Sequence, residues 1–360
     1  MAPARLPRYR ADAWAGGFAV ASPVYTGSIS AVDGTVVAAT ELIYRLRPGA
    51  AGFQTREPPE GMGDVVAVAV EPRRPGSEQR IAVATMHELH LYGAEGIASV
   101  PFPEDHGEVV ELLWGPMLWT PPRWAPDPPG EPIDVLYARC TDVLLQLVPD
   151  GGPSGTFMQL DGPVARARAL ATDHAGGFAF ACLDEETWQV EVWTLAEREP
   201  QLWHYRSLAA PTVFDDVGLA IAGKSLAVSF DFDGVWMTRD CKEHPFTELE
   251  DLRGPLDPHD RCSAAAIAFE GSADDAALFA AVQDTRTMQH IVRVDAEGRA
   301  QRIAEVEVAG GDEERLILPP VRALAWDATR RTVWSATGRA GIMCSTAPGA
   351  PSWLPATAAS

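Results

Sequence analysis

Val36-Val37-Ala38-Ala39-Thr40 decides the fold, because its form comes back six times. The pattern apolar-x-apolar-small-x returns as Ile81-Ala82-Val83-Ala84-Thr85, Val135-Leu136-Tyr137-Ala138-Arg139 and Phe178-Ala179-Phe180-Ala181-Cys182. It returns again as Leu226-Ala227-Val228-Ser229-Phe230, Phe279-Ala280-Ala281-Val282-Gln283 and Val333-Trp334-Ser335-Ala336-Thr337. The seven copies end at 40, 85, 139, 182, 230, 283 and 337, a spacing of roughly fifty residues. Another apolar run lies upstream of most copies, as in Val65 to Val70, Val109 to Trp114, Val164 to Ala171, Ile267 to Phe269 and Val321 to Trp326. A third, alternating run follows each copy after a short polar turn, for example Glu88 to Tyr92, Val143 to Val148 and Gln189 to Trp193. A weaker fourth run appears at Ile97 to Phe102, Thr156 to Leu160, Leu202 to Leu208 and Arg302 to Val308. Runs this short, bounded by Gly, Pro and Asp, read as strands rather than helices.

Four short strands per unit, seven times over, is the pattern of sheets set radially around an axis. The chain resembles the β-propeller superfamily over most of its length. Its unit length is similar to that of WD-repeat proteins, and Leu324-Ala325-Trp326-Asp327 resembles part of their pattern, although Trp-Asp occurs once and Gly-His never. The double glycine of kelch repeats is echoed at Gly16-Gly17 and Gly176-Gly177. The expected fold is therefore all-β, a seven-bladed β-propeller. Small Ala, Ser and Val suit the crowded interior, and Trp114, Phe269, Trp326 and Trp334 are expected to wedge between neighbouring sheets. The seventh unit has three runs, and the run Gly17 to Ala21 has no unit of its own. That run is expected to supply the outer strand of the last blade and close the ring, hiding two sheet edges. The domain plan is an N-terminal arm (1–13), one propeller (14–346) and a C-terminal tail (347–360).

Composition narrows the function. The 360 residues carry 29 basic against 50 acidic side chains, a net charge of −21. This argues against nucleic acid and against docking on anionic lipid, which need clustered Lys and Arg. No apolar run reaches the roughly 18 residues of a membrane span. Met1 to Arg10 has no apolar core, so no signal peptide is expected. The five Cys include no CxxC pair, and reduced, mostly buried thiols in a cytosol are expected. Asn is absent and Lys occurs twice, at Lys224 and Lys242, beside abundant Ala, Arg, Gly and Pro. That bias suggests a GC-rich bacterial genome.

Two motifs tempt. Gly218 to Ser225 matches the Walker A pattern GxxxxGK[ST]. Its middle residues are apolar and strand-like, and a repeated strand follows, so Gly223-Lys224 is expected to be a hairpin turn and no nucleotide is expected to bind. His87 and His90 lie in a strand-like run, where period two separates them and prevents joint metal ligation. No GxSxG, HExxH or EF-hand loop occurs.

Two other features bear on partners. Glu104-Asp105-His106, Asp257-Pro258-His259-Asp260 and Asp312-Glu313-Glu314 each precede a unit's first strand. In a propeller these connections share one end of the ring. The resulting acidic face, with Glu104, Asp105, His106, Asp257, His259, Asp260 and Asp312, reads as solvated surface, as a partner-binding face, or as oxygen ligands for Ca²⁺ or Mg²⁺ near the axis. The third unit carries a Pro-rich insertion, Gly115 to Glu131, between its first and second strands, so it projects from the opposite end. Its Trp119, Arg123 and Trp124 are of the kinds that anchor interfaces. The leading expectation is a non-enzymatic protein-binding scaffold or regulatory subunit of a bacterial multiprotein system, without a cofactor. The alternative is a hydrolase or lactonase-type propeller with a divalent cation held by axial carboxylates. Metal analysis and a co-purifying partner separate the two.

Overall fold

The computed structural model describes residues 14–21, 27–39, 42–59, 61–74, 76, 78–94, 96–118, 134–148, 155–184, 186–195, 202–209, 217–230, 234–241, 243–249, 252, 266–283, 288–307, 321–337 and 341–350. They form seven four-stranded antiparallel sheets, a seven-bladed β-propeller. Blade 1 holds β2 (Ser28–Val32), β3 (Thr35–Ala39), β4 (Ile43–Leu46) and β5 (Gln54–Arg56). Blade 2 holds β6 (Ala67–Val70), β7 (Ile81–Ala84), β8 (Glu88–Gly93) and β9 (Gly96–Pro101). Blade 3 holds β10 (Val109–Pro116), β11 (Asp134–Cys140), β12 (Leu144–Val148) and β13 (Thr156–Gln159). Blade 4 holds β14 (Ala167–Thr172), β15 (Phe178–Asp184), β16 (Gln189–Leu195) and β17 (Leu202–Ala209). Blade 5 holds β18 (Val217–Ala222), β19 (Ser225–Phe230), β20 (Gly234–Thr238) and β21 (Thr247–Glu248). Blade 6 holds β22 (Ala266–Phe269), β23 (Leu278–Gln283), β24 (Met288–Val294) and β25 (Ala300–Glu307). Blade 7 holds β26 (Ala323–Asp327), β27 (Thr332–Ala336) and β28 (Gly341–Thr346), and its fourth strand is β1 (Ala15–Ala21). β1 pairs antiparallel with β28, from Ala15 opposite Thr346 to Ala21 opposite Gly341.

The repeated segment is the second strand of every blade, and packing explains its composition. The described core divides into seven apolar clusters, one between each pair of neighbouring blades. Successive side chains of a strand point to opposite faces. In β3, Val36 and Ala38 pack toward blade 7, whereas Val37 and Ala39 pack toward blade 2. In β11, Leu136 and Ala138 face blade 2, and Val135 and Tyr137 face blade 4. Each such strand is buried on both faces, so it reads as continuous apolar sequence rather than alternation. Trp114, Phe269 and Trp334 are buried in these clusters, and the Trp326 ring stacks on Phe279 at 5.3 Å.

The first strands β2, β6, β10, β14, β18, β22 and β26 lie against one another around the axis. Two boundaries differ from the sequence reading. The run Val164 to Ala171 opens with a 3-10 turn, Pro163–Arg166, before β14 starts. β10 extends through Gly115 and Pro116, which pair with Val135 and Asp134. No α-helix occurs among the described residues.

Candidate partner-binding faces

Blade topology sorts the loops to two ends. The near end carries the connections into each first strand and the turns between second and third strands. The far end carries the turns between first and second and between third and fourth strands.

At the far end, the Walker-like stretch is a hairpin. β18 and β19 pair with Ala222 opposite Ser225, leaving Gly223-Lys224 as a two-residue turn with Gly223 at φ 54°. A phosphate loop needs free backbone N–H groups. Here the Gly223 N–H donates to the Asp173 carboxylate of blade 4 (3.1 Å), and the Lys224 N–H donates to that of Asp274 in blade 6 (2.7 Å). The turn ties three blades through its backbone. Lys224→Ala is accordingly expected to change stability by less than about 0.5 kcal/mol. Asp274→Ala removes the acceptor and is expected to cost about 1 kcal/mol in urea denaturation. A micromolar ATP affinity abolished by Lys224→Ala would overturn this reading.

The insertion residues Trp119, Arg123 and Trp124 lie outside the described residues, but its stem is described. The Leu118 N–H donates to the Tyr137 hydroxyl at 2.9 Å, and that hydroxyl donates to the Pro116 carbonyl at 2.5 Å. Tyr137 is fully buried, and burial raises its phenol pKa. The loop therefore leaves blade 3 from a fixed base.

At the near end, Glu104 and Asp105 are exposed, and Asp105 has φ 65°. His106 plays a different part from its neighbours. Its ring stacks on Phe102 at 5.1 Å, with Nδ1 2.7 Å from the Pro103 carbonyl and Nε2 3.2 Å from that of Met86. It lies between the β9–β10 connection and the β7–β8 turn, where a ring N–H can donate to either carbonyl. Exposed Glu108 and Asp142 extend the acidic surface, with the Thr141 N–H donating to the Glu108 carbonyl at 2.8 Å. Asp257, His259, Asp260 and Asp312 lie outside the described residues. Among the described residues, no three His, Cys, Asp or Glu side chains group as metal ligands. His87 sits in the turn before β8 rather than in the strand, and His90 is buried within it. The four described cysteines are buried thiols, and burial raises Cys140 to about 12 and Cys182 to about 11.

Sequence reasoning missed Trp188, at the tip of the β15–β16 hairpin on the near end. It is 60% exposed and has φ 52°. Asp184 shapes the tip by accepting from the Glu186 N–H (3.0 Å) and the Thr187 hydroxyl (2.6 Å). A left-handed position ordinarily takes Gly or Asn, because a Cβ there meets the carbonyl oxygen. The available signal was a bulky aromatic at a hairpin tip, with no Gly or Asn between Asp184 and Gln189. Met86 (36% exposed) and Val110 (46%) lie toward the same end on blades 2 and 3.

No protein-family model matches the chain, and no curated protein does. Solved structures do. The chain is similar to the WD40 repeats of RRP9, with TM-score 0.59 and 10% identity over 95% of this chain and 99% of that one. It is similar to a chain of the BBS1N complex with ARL6DN, with TM-score 0.57 and 14% identity over 94% and 98%. It is also similar to YCF48 bound to D1 peptide, with TM-score 0.55 and 11% identity over 99% and 100%. Topology and likeness together define the class, a seven-bladed β-propeller. WD40 propellers are among its structural neighbours.

Proposed function

We propose that this chain is a protein-binding propeller, a rigid non-enzymatic platform within a bacterial, cytoplasmic multiprotein system, which contacts its partner through the near end around Trp188. One observation carries the reading: a large aromatic side chain sits in solvent on a backbone conformation that disfavours it. The hairpin turn sets the left-handed angle at its last residue, but nothing in the packing of the tip calls for a large aromatic side chain there, and a costly choice of residue at an exposed site motivates a functional reading. Truncating such an anchor in a complex costs on the order of 2 kcal/mol or more of binding. Propellers of similar fold are found in complexes with a protein or a peptide, which supports the reading. The Trp119, Arg123 and Trp124 insertion, whose described stem ends at Leu118, is proposed as a second contact for a different partner. Photo-cross-linking from benzoylphenylalanine at position 188 tests the proposal. A discrete adduct with one protein is the expected product. A chain that cross-links to nothing from position 188, while a probe at 119 or 124 gives an adduct, contradicts the near-end assignment.

A further inference from the structure

A second feature lies on blade 2, away from Trp188. A groove of about 380 Å³ opens between the β5–β6 connection and the outer strands β8 and β9. Pro59, Met62 and Ile97 give it apolar walls, and Glu88, His90 and Ser99 line it with polar groups. Strand pairing makes this arrangement. Glu88 and His90 are two apart on β8 and share a face, and Ser99 on β9 is the cross-strand partner of His90.

The His90 ring is buried, its side chain 7% exposed, with Nδ1 2.9 Å from the Ser99 hydroxyl. Its Nε2 lies 3.8 Å from Glu88 Oε2, beyond hydrogen-bond reach. Burial lowers the imidazole pKa and so favours the neutral ring, against the smaller opposing pull of Glu88. In the Nδ1–H tautomer the ring donates to Ser99 and Nε2 is an acceptor, and a cation at Nε2 selects that tautomer over the one in which the Ser99 hydroxyl donates to Nδ1. Two acceptors 3.8 Å apart then stand at the polar end of an apolar groove. A cation small enough to contact both, carried on an aliphatic stem, complements this arrangement. The nearby Arg56 guanidinium is spent over the Tyr92 ring at 4.9 Å. The surrounding charge, −21 over the chain, favours a basic partner.

We propose that this groove binds a lysine side chain of a partner protein, its stem against Pro59, Met62 and Ile97 and its ammonium between the Glu88 carboxylate and His90 Nε2. A metal ion would exploit the polar end but leave the apolar walls unused. A guanidinium can also reach two such acceptors, so the lysine assignment rests on the aliphatic stem that the apolar walls accommodate, and tighter binding of the same peptide with arginine in place of lysine would overturn it.

The test uses the full chain with ¹⁵N-labelled histidine and the peptide acetyl-Ala-Ala-Lys-Ala-Ala-amide, followed through the His90 ring nitrogens. Saturable shifts toward the Nδ1–H tautomer are expected, with no response to the same peptide carrying norleucine. Glu88→Gln, at an exposed position, should weaken binding at least tenfold without moving the melting temperature. Equal shifts with norleucine, an unchanged affinity in Glu88→Gln, or a ring that stays Nε2–H at saturation would each overturn the proposal. So would Zn²⁺ alone perturbing His90 at micromolar concentration where the lysine peptide does nothing. Trp188→Gly should leave this titration unaltered, so the two binding sites stand or fall separately.

Discussion

Arg330→Ala is expected to destabilise the propeller by about 3–5 kcal/mol, read as a fall in the urea midpoint at constant slope. Arg330 sits in the turn between β26 and β27, buried where blade 7 meets blade 1. One terminal nitrogen donates to the Gly34 carbonyl (2.7 Å) and to the Asp327 carboxylate (2.6 Å), and the other donates to the Arg47 carbonyl (2.6 Å). Gly34 and Arg47 belong to blade 1, so one side chain spans the seam between the last blade and the first. Asp327 is 2% exposed, and it also accepts from the Thr329 N–H at 3.0 Å. Losing the guanidinium strands a buried carboxylate and two carbonyls. The carboxylate supplies most of the penalty, because an unpaired buried charge costs more than an unmade neutral hydrogen bond. Arg330→Ala combined with Asp327→Asn should therefore recover part of the loss. Arg330→Lys should not rescue fully, because an ammonium cannot reproduce the planar fork that reaches three acceptors.

Trp14→Ala is the second large effect, again about 3–5 kcal/mol. Trp14 is 4% exposed and lies just before β1. Its ring meets Phe279 of blade 6 edge-on at 5.5 Å and Trp326 of blade 7 at 6.4 Å. Truncation leaves a cavity in the cluster between those blades and loosens the N-terminal strand from β28. If that strand fastens the ring, Trp14→Ala should also raise protease cleavage near residue 20 and promote association through the uncovered β28 edge. A stable, protease-resistant Trp14→Ala chain would mean that β1 decorates a ring held by its inner strands.

The sequence exposed most of this fold for a physical reason. Each second strand packs against two different blades, so β3 and β11 carry apolar residues at consecutive positions. Outer strands leave a fainter trace. β5 is exposed at all three residues and β21 is two residues long, so neither has an apolar run to find. The binding residues were harder to read. Glu104 and Asp105 lie exposed at the near end as their place before a first strand implied, but His106 was grouped with them although its ring faces two carbonyls. The Walker pattern did not mislead, since the strand-like residues around Gly223-Lys224 mark the hairpin that the strand pairing shows. Trp188 left only a faint signal, because its significance lies in a backbone angle and a Trp beside an alternating strand looks like part of that strand.

Trp188→Gly, compared with the parent chain for stability and for capture of the partner found by cross-linking at 188, tests the central claim most directly. Glycine relieves the left-handed strain, so stability should rise by about 1 kcal/mol or hold level after the greater chain entropy of glycine is offset. Partner capture should fall by about thirtyfold or more, the equivalent of about 2 kcal/mol. A variant that loses several kcal/mol of stability while the folded fraction still captures its partner would contradict the account, because Trp188 would then serve the fold and not the interface.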